Sequence, residues 1–104
     1  MKHDTADAAS LELQDGGRAV VTGILGFHTA GALLSAGSKA IISERASVID
    51  LAGVTAGDSA GLALLIEWLS IARAAKLELR YEHMPLQLEQ LARLSEVEDL
   101  LPTA

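Results

Sequence analysis

Three kinds of hydrophobic pattern alternate along this chain, and each predicts a different element. Leu11 and Leu13 alternate with Glu12 and Gln14, Asp15-Gly16-Gly17 is a turn signal, and Ala19-Val20-Val21 is apolar. Period-two alternation on either side of a Gly-rich turn predicts a hairpin with strands over 10–14 and 18–24, the second ended by Gly23 and Gly26. A short helix follows from Ala30, Ala32, Leu33, Leu34 and Ala36, capped by His28 or Thr29 and weakened by Gly31 and Gly37. Val48–Leu51 is short, apolar and β-branched at two positions, as a central buried strand requires. Asp50 within it is expected at a sheet end or on a backbone hydrogen bond, because an unpaired buried carboxylate is costly. From Ser59 to about Ala75 helix formers dominate, and Leu77–Tyr81 alternates again as a strand near a sheet edge. Pro85 suits the first turn of a last helix, in which Leu88, Leu91 and Ala92 recur at helical spacing as far as Leu94.

This order predicts an α/β domain: a small four- or five-stranded mixed sheet that begins with a hairpin, with helices packed mainly on one face. A crossover through the 59–75 helix would make strands 48–51 and 77–81 parallel. Residues 1–8 read as a flexible polar tail and 9–104 as the single domain.

The helix after Ser59 carries two apolar stripes. At about 100 degrees per residue, Leu62, Leu65, Ile66, Leu69 and Ala72 share the face that should cover the sheet. Leu64, Trp68, Ile71 and Ala75 form a second stripe roughly opposite. That stripe either packs under the neighbouring helix or is buried against another protein, and the pattern alone does not choose.

Composition narrows the chemistry. The 104 residues hold 8 basic and 14 acidic side chains, a net charge of −6, and no basic block that would track a phosphate backbone, so nucleic acid is not an expected partner. Cysteine is absent, which removes disulfides, thiolate zinc sites and cysteine nucleophiles. The N-terminal stretch has no secretory pattern and no apolar run is long enough to span a bilayer, so a cytoplasmic protein that meets a membrane only through partner subunits is the expectation. His3, His28 and His83 lack ligand spacing, and no metal or cofactor residue is assigned. Gly37-Ser38-Lys39 lacks the earlier glycine and strand of a phosphate loop and reads as a helix end. Phe27, the one phenylalanine, is read as a core plug in a place that also permits a contact, and Glu82, Glu89, Glu96, Glu98 and Asp99 as a solvated acidic face.

Asp58-Ser59-Ala60-Gly61 stands where the long helix begins. Either polar side chain can cap it, and a hydroxyl at the positive end of a helix lies where added phosphate is electrostatically welcome. Glycines at 53, 57 and 61 would admit a partner's backbone. Ser59 is outside a Gly-x-Ser-x-Gly elbow and nothing in the sequence fixes a histidine beside it, so no catalytic residue is assigned.

Over residues 10–102 the chain resembles a STAS domain, the fold of anti-sigma factor antagonists and of the cytoplasmic tails of sulfate transporters. Asp58-Ser59-Ala60-Gly61-Leu62 looks like that family's Asp-Ser/Thr-small-Gly-Leu signature. Gly23–Ala30 falls where the family has Gly-Glu-Leu-Asp, although Ile24 and Gly26 replace the two acids. The Gly61–Leu65 run and the ending Glu98-Asp99-Leu100-Leu101-Pro102 are similar to the MlaB-like subunit of phospholipid-transport ABC systems. The resemblance implies a non-catalytic accessory subunit that binds the ATPase subunit at the inner membrane, with Asp58, Ser59, Gly61, Leu64 and Trp68 as contacts. The alternative it implies is an anti-sigma factor antagonist, bound by a serine kinase and phosphorylated on Ser59. A STAS module of some other regulatory complex is the remaining reading.

Overall fold

In the computed structural model, which describes residues 8–102, a four-stranded mixed sheet is ordered β1-β2-β3-β4. Its strands are β1 (Ala9–Gln14), β2 (Arg18–Leu25), β3 (Val48–Gly57) and β4 (Arg80–Glu82). Three helices, α1 (Ala30–Ile42), α2 (Ser59–Ala74) and α3 (Leu86–Leu94), and a 3-10 turn over Glu98–Leu100 complete it. The tail expected over 1–8 lies outside the described residues except for Ala8, whose carbonyl accepts a hydrogen bond from Ile24 N at 3.2 Å and so extends the hairpin.

The hairpin forms as its pattern predicts. β1 and β2 pair antiparallel from Ala9↔Gly23 to Gln14↔Arg18. The turn places Gly16 at φ 81° and Gly17 at φ 75°, a left-handed pair that side-chain-bearing residues resist. β3 then pairs parallel with β2 on one side and with β4 on the other, as the crossover requires.

Two strand boundaries differ from expectation, each because pairing partners decide where a strand ends. β3 continues past Leu51 to Gly57 because β2 offers partners as far as Leu25↔Gly57. β4 is Arg80–Glu82 rather than 77–81, because β3 begins at Val48 and leaves Leu77–Leu79 nothing to pair with. The outer edge of β4 is capped by the chain's end: Tyr81 N donates to Pro102 O at 2.9 Å.

Ala19, Val21, Ile49, Leu51 and Tyr81 line the covered face of the sheet. The intervening positions Arg18, Val20, Asp50 and Glu82 lie half-buried on the other face. α2 is the central helix, in contact with β2, β3, α1 and α3. That position settles the role of its second stripe. Trp68 is 0 % exposed and Leu64 4 %, because α1 lies over them. A Cβ at Gly37 of α1 would stand 2.2 Å from Trp68 Cε2, so the missing side chain is what lets the two helices close on the indole. The indole N–H points to Leu34 O at 3.5 Å, a weak bond at best.

Candidate functional site

Asp58 holds the junction of β3 and α2. Its backbone is extended, φ −131° and ψ −167°, and its Oδ1 accepts from Ala60 N at 2.9 Å and Gly61 N at 3.2 Å. These donors belong to the first turn of α2 and have no partner within the helix, so the carboxylate is a true N-cap. The other oxygen, Oδ2, faces Phe27 N at 3.4 Å, while Asp58 N donates to Leu25 O at 3.1 Å. The β2–α1 turn and the β3–α2 turn are thereby joined.

The β2–α1 turn is fixed by Thr29, the one buried polar side chain among the described residues: its hydroxyl accepts from Gly26 N at 3.0 Å and lies 2.6 Å from Ile24 O, to which it donates. With Thr29 turned inward, Phe27 is turned outward. It is 78 % exposed, the reverse of a core plug, and its ring meets His28 edge-on with centroids 5.4 Å apart. The serine beside the cap is also exposed, and the hydrogen bonds that hold the turn come from Asp58 rather than from the Ser59 hydroxyl.

Of the five contact residues named from the sequence, only Asp58 and Ser59 reach the surface. Gly61 is buried against β2, where an added Cβ would fall 2.1 Å from Leu25 O. Leu64 and Trp68 belong to the core, so the second stripe is an intramolecular contact and not a free face. The glycines at 53 and 57 likewise admit this chain's own Thr22 and Leu88 side chains rather than a partner.

The residues that do flank the turn come from the β2–α1 turn and from α3. A groove of about 310 Å³ is lined by Gly57, Asp58, Ser59, Gln87, Gln90, Leu91 and Leu94. Gln87 Oε1 accepts from Gly57 N at 3.2 Å and ties α3 to the turn, and Leu94 is 81 % exposed at the groove's far end. A polar turn thus sits between two exposed apolar side chains, Phe27 and Leu94. An isolated strand-to-helix cap needs neither of them. Neither exposure was signalled by the sequence: Leu94 follows Leu91 at the same three-residue interval as Leu91 follows Leu88, and Phe27 reads as a core plug.

A second polar constellation lies on the uncovered face of the sheet. Arg18 Nη2 is 3.1 Å from Asp50 Oδ2 and 2.8 Å from Glu82 Oε1, and His83 Nδ1 is 2.8 Å from Asp50 Oδ1. The backbone N–H of Ala52, 2.9 Å from Asp50 Oδ1, is the main reason the carboxyl titrates below its usual range; the His83 hydrogen bond and nearby charge add to this. Glu82 is held down by its hydrogen bond from Arg18, whose own pKa is raised by the same bond. Glu82 is therefore not part of a merely solvated acidic face. Asp50, Glu82 and His83 bring ligand-type atoms within 4.8 Å of one another, but the Arg18 guanidinium already supplies the positive charge there.

A family model described as "Mlab, STAS domain" matches residues 11–102. The chain belongs to the STAS family. Solved structures of similar fold include SpoIIAA, an anti-sigma factor antagonist, in its unphosphorylated form, with a TM-score of 0.69 and 18% identity over 93% of this chain and 88% of that one. The phosphorylated form of the Bacillus cell fate determinant SpoIIAA matches at 0.66 and 18%, over 93% and 91% of the two chains. An anti-sigma factor antagonist from Mycobacterium paratuberculosis matches at 0.70 and 24%, over 93% and 86%. At these identities the likeness is one of fold. No curated protein matches the chain.

Proposed function

We propose that this STAS domain is a non-catalytic accessory subunit that binds the cytoplasmic ATPase subunit of a phospholipid-transport ABC system. The observation that carries the reading is the exposed Asp58–Ser59 turn set between Phe27 and Leu94. Such a surface supplies exposed apolar area that a partner would bury, beside a short polar contact that fixes its orientation, and protein interfaces use both. The family description, with its Mlab name, supports the transporter partner. The chain would reach the inner membrane through that partner, from the cytoplasmic side; among the described residues no helix is long and apolar enough to cross a membrane.

Affinity capture from native membranes tests this. An ABC ATPase should be recovered with the wild-type chain and lost with Phe27→Asp or Leu94→Arg, while both variants keep the wild-type melting temperature because neither side chain is in the core. Capture that survives both substitutions sinks this choice of surface.

One observation favours a second reading. The Ser59 hydroxyl is exposed, is not spent on the turn, and stands in the first turn of α2, where the helix dipole favours added negative charge. Under this reading the chain is an anti-sigma factor antagonist regulated by phosphorylation of Ser59, in keeping with the two SpoIIAA structures. Recovery of a serine kinase in the same capture, and phosphate on Ser59 by mass spectrometry, would decide for it.

A further inference from the structure

The end of the domain opposite the Asp58 turn holds a larger cleft that the partner contact does not use. It has a volume of about 560 Å³ and lies about 20 Å from Ser59 along α2, at the helix's C-terminal end. Leu69, Ala72, Leu77 and Leu79 give it apolar walls, and Arg73, Lys76 and Arg80 line it together with one acid, Glu78. A smaller pocket of about 130 Å³ adjoins it, sharing Ser47, Leu77 and Glu78 and adding Arg45. Four of the chain's 8 cationic residues thus gather at one end of a protein whose net charge is −6.

Among the described residues none of these four is in an ion pair; the ion pairs of the arginines belong to Arg18 and Arg93. Complementing the α2 dipole accounts for Arg73 and Lys76, which stand at the helix C-terminus. It does not account for Arg45 before β3, nor for Arg80 on β4, which is drawn to Glu82 but also lines this cleft; the two come from separate segments to the same place.

The geometry points to a binding site for a phosphate monoester that carries a small apolar body. In the larger cleft, three cations against one carboxylate leave a charge of +2, and a phosphate monoester carries about −1.5 to −2 at neutral pH. Arginine presents forked donors that match phosphate oxygens, and Ser47 adds a hydroxyl. The leucine-lined wall would take the ester's organic part. This inference is independent of the ATPase reading, since it uses the other end of the molecule.

Calorimetry and thermal melting with phenyl phosphate, inorganic phosphate and phenol test it. Phenyl phosphate should raise the melting temperature saturably and bind about tenfold more tightly than inorganic phosphate, with no shift from phenol. The double variant Arg73→Gln/Arg80→Gln should lose this shift; both side chains are exposed, and circular dichroism verifies that the variant folds. Sedimentation with phosphatidylcholine vesicles, with and without phosphatidic acid, distinguishes the source. Co-sedimentation only with phosphatidic acid assigns the ester to a lipid headgroup, and a phenyl phosphate shift without co-sedimentation assigns it to a soluble molecule. No response to either probe, or equal binding by the double variant, overturns the site; equal affinity for phenyl and inorganic phosphate overturns the apolar wall's part in it.

Discussion

Asp58 and Ser59 are adjacent in sequence and do different work. The aspartate satisfies two orphan N–H groups of α2 and also faces the β2–α1 turn, so its first duty is to hold shape. Asp58→Ala should cost about 1 kcal/mol, the usual value of an N-cap, and chemical denaturation should show it as a lower midpoint with an unchanged slope. Ser59→Ala should leave that midpoint where it is, because the turn does not spend the hydroxyl. A serine whose removal changes binding but not stability is a contact or a modification site; one whose removal lowers the midpoint is part of the cap. Gly61→Ala makes the complementary point. The new methyl would meet Leu25 O at 2.1 Å, backbone that cannot step aside, and overpacking of this kind costs about 1–3 kcal/mol.

At the scale of elements, α2 is where sequence and structure part company most informatively. Its two apolar stripes were both visible in the spacing, but a stripe records only that a face is covered, not what covers it. The answer lay in α1, whose Gly37 lets the helix come down on Trp68. From the sequence that glycine looked like a weak point in a helix; in the fold it is the seat of the indole. Trp68→Ala should therefore cost about 3–5 kcal/mol, a large part of the stability of a domain this size. Trp68→Glu should abolish cooperative unfolding altogether, whereas Phe27→Asp should melt like the wild type. The hairpin, the parallel crossover and the element order were legible because period and turn chemistry are local. The ends of β3 and β4 were not, since they depend on where a neighbouring strand starts. Phe27 escaped for a related reason: an isolated phenylalanine reads as core, and only the inward turn of Thr29 shows that it faces out.

Across the whole molecule, the uncovered sheet face ties three strands together through charge. Arg18 on β2 reaches Asp50 on β3 and Glu82 on β4, with His83 closing on Asp50 and Arg80 adding attraction to Glu82. Both carboxyls titrate below their ordinary range in the folded chain, Asp50 chiefly through the Ala52 N–H and Glu82 chiefly through Arg18. In the unfolded chain they titrate near the usual values of about 4. Between the two values the unfolded chain binds protons that the folded one refuses, so stability rises with pH in that window. The contribution is fully present above about pH 5 and is lost as pH falls through the folded values. Asp50→Asn removes one of the two carboxylates. Its melting temperature should lie below the wild type at pH 7, and the gap should close on acidification below pH 4, where the wild type loses the same interaction. Melting curves taken at intervals from pH 7 to pH 2 measure that difference. A gap of constant size would mean that Asp50 acts through shape alone, and that the charges bridging the strands do not couple the fold to pH.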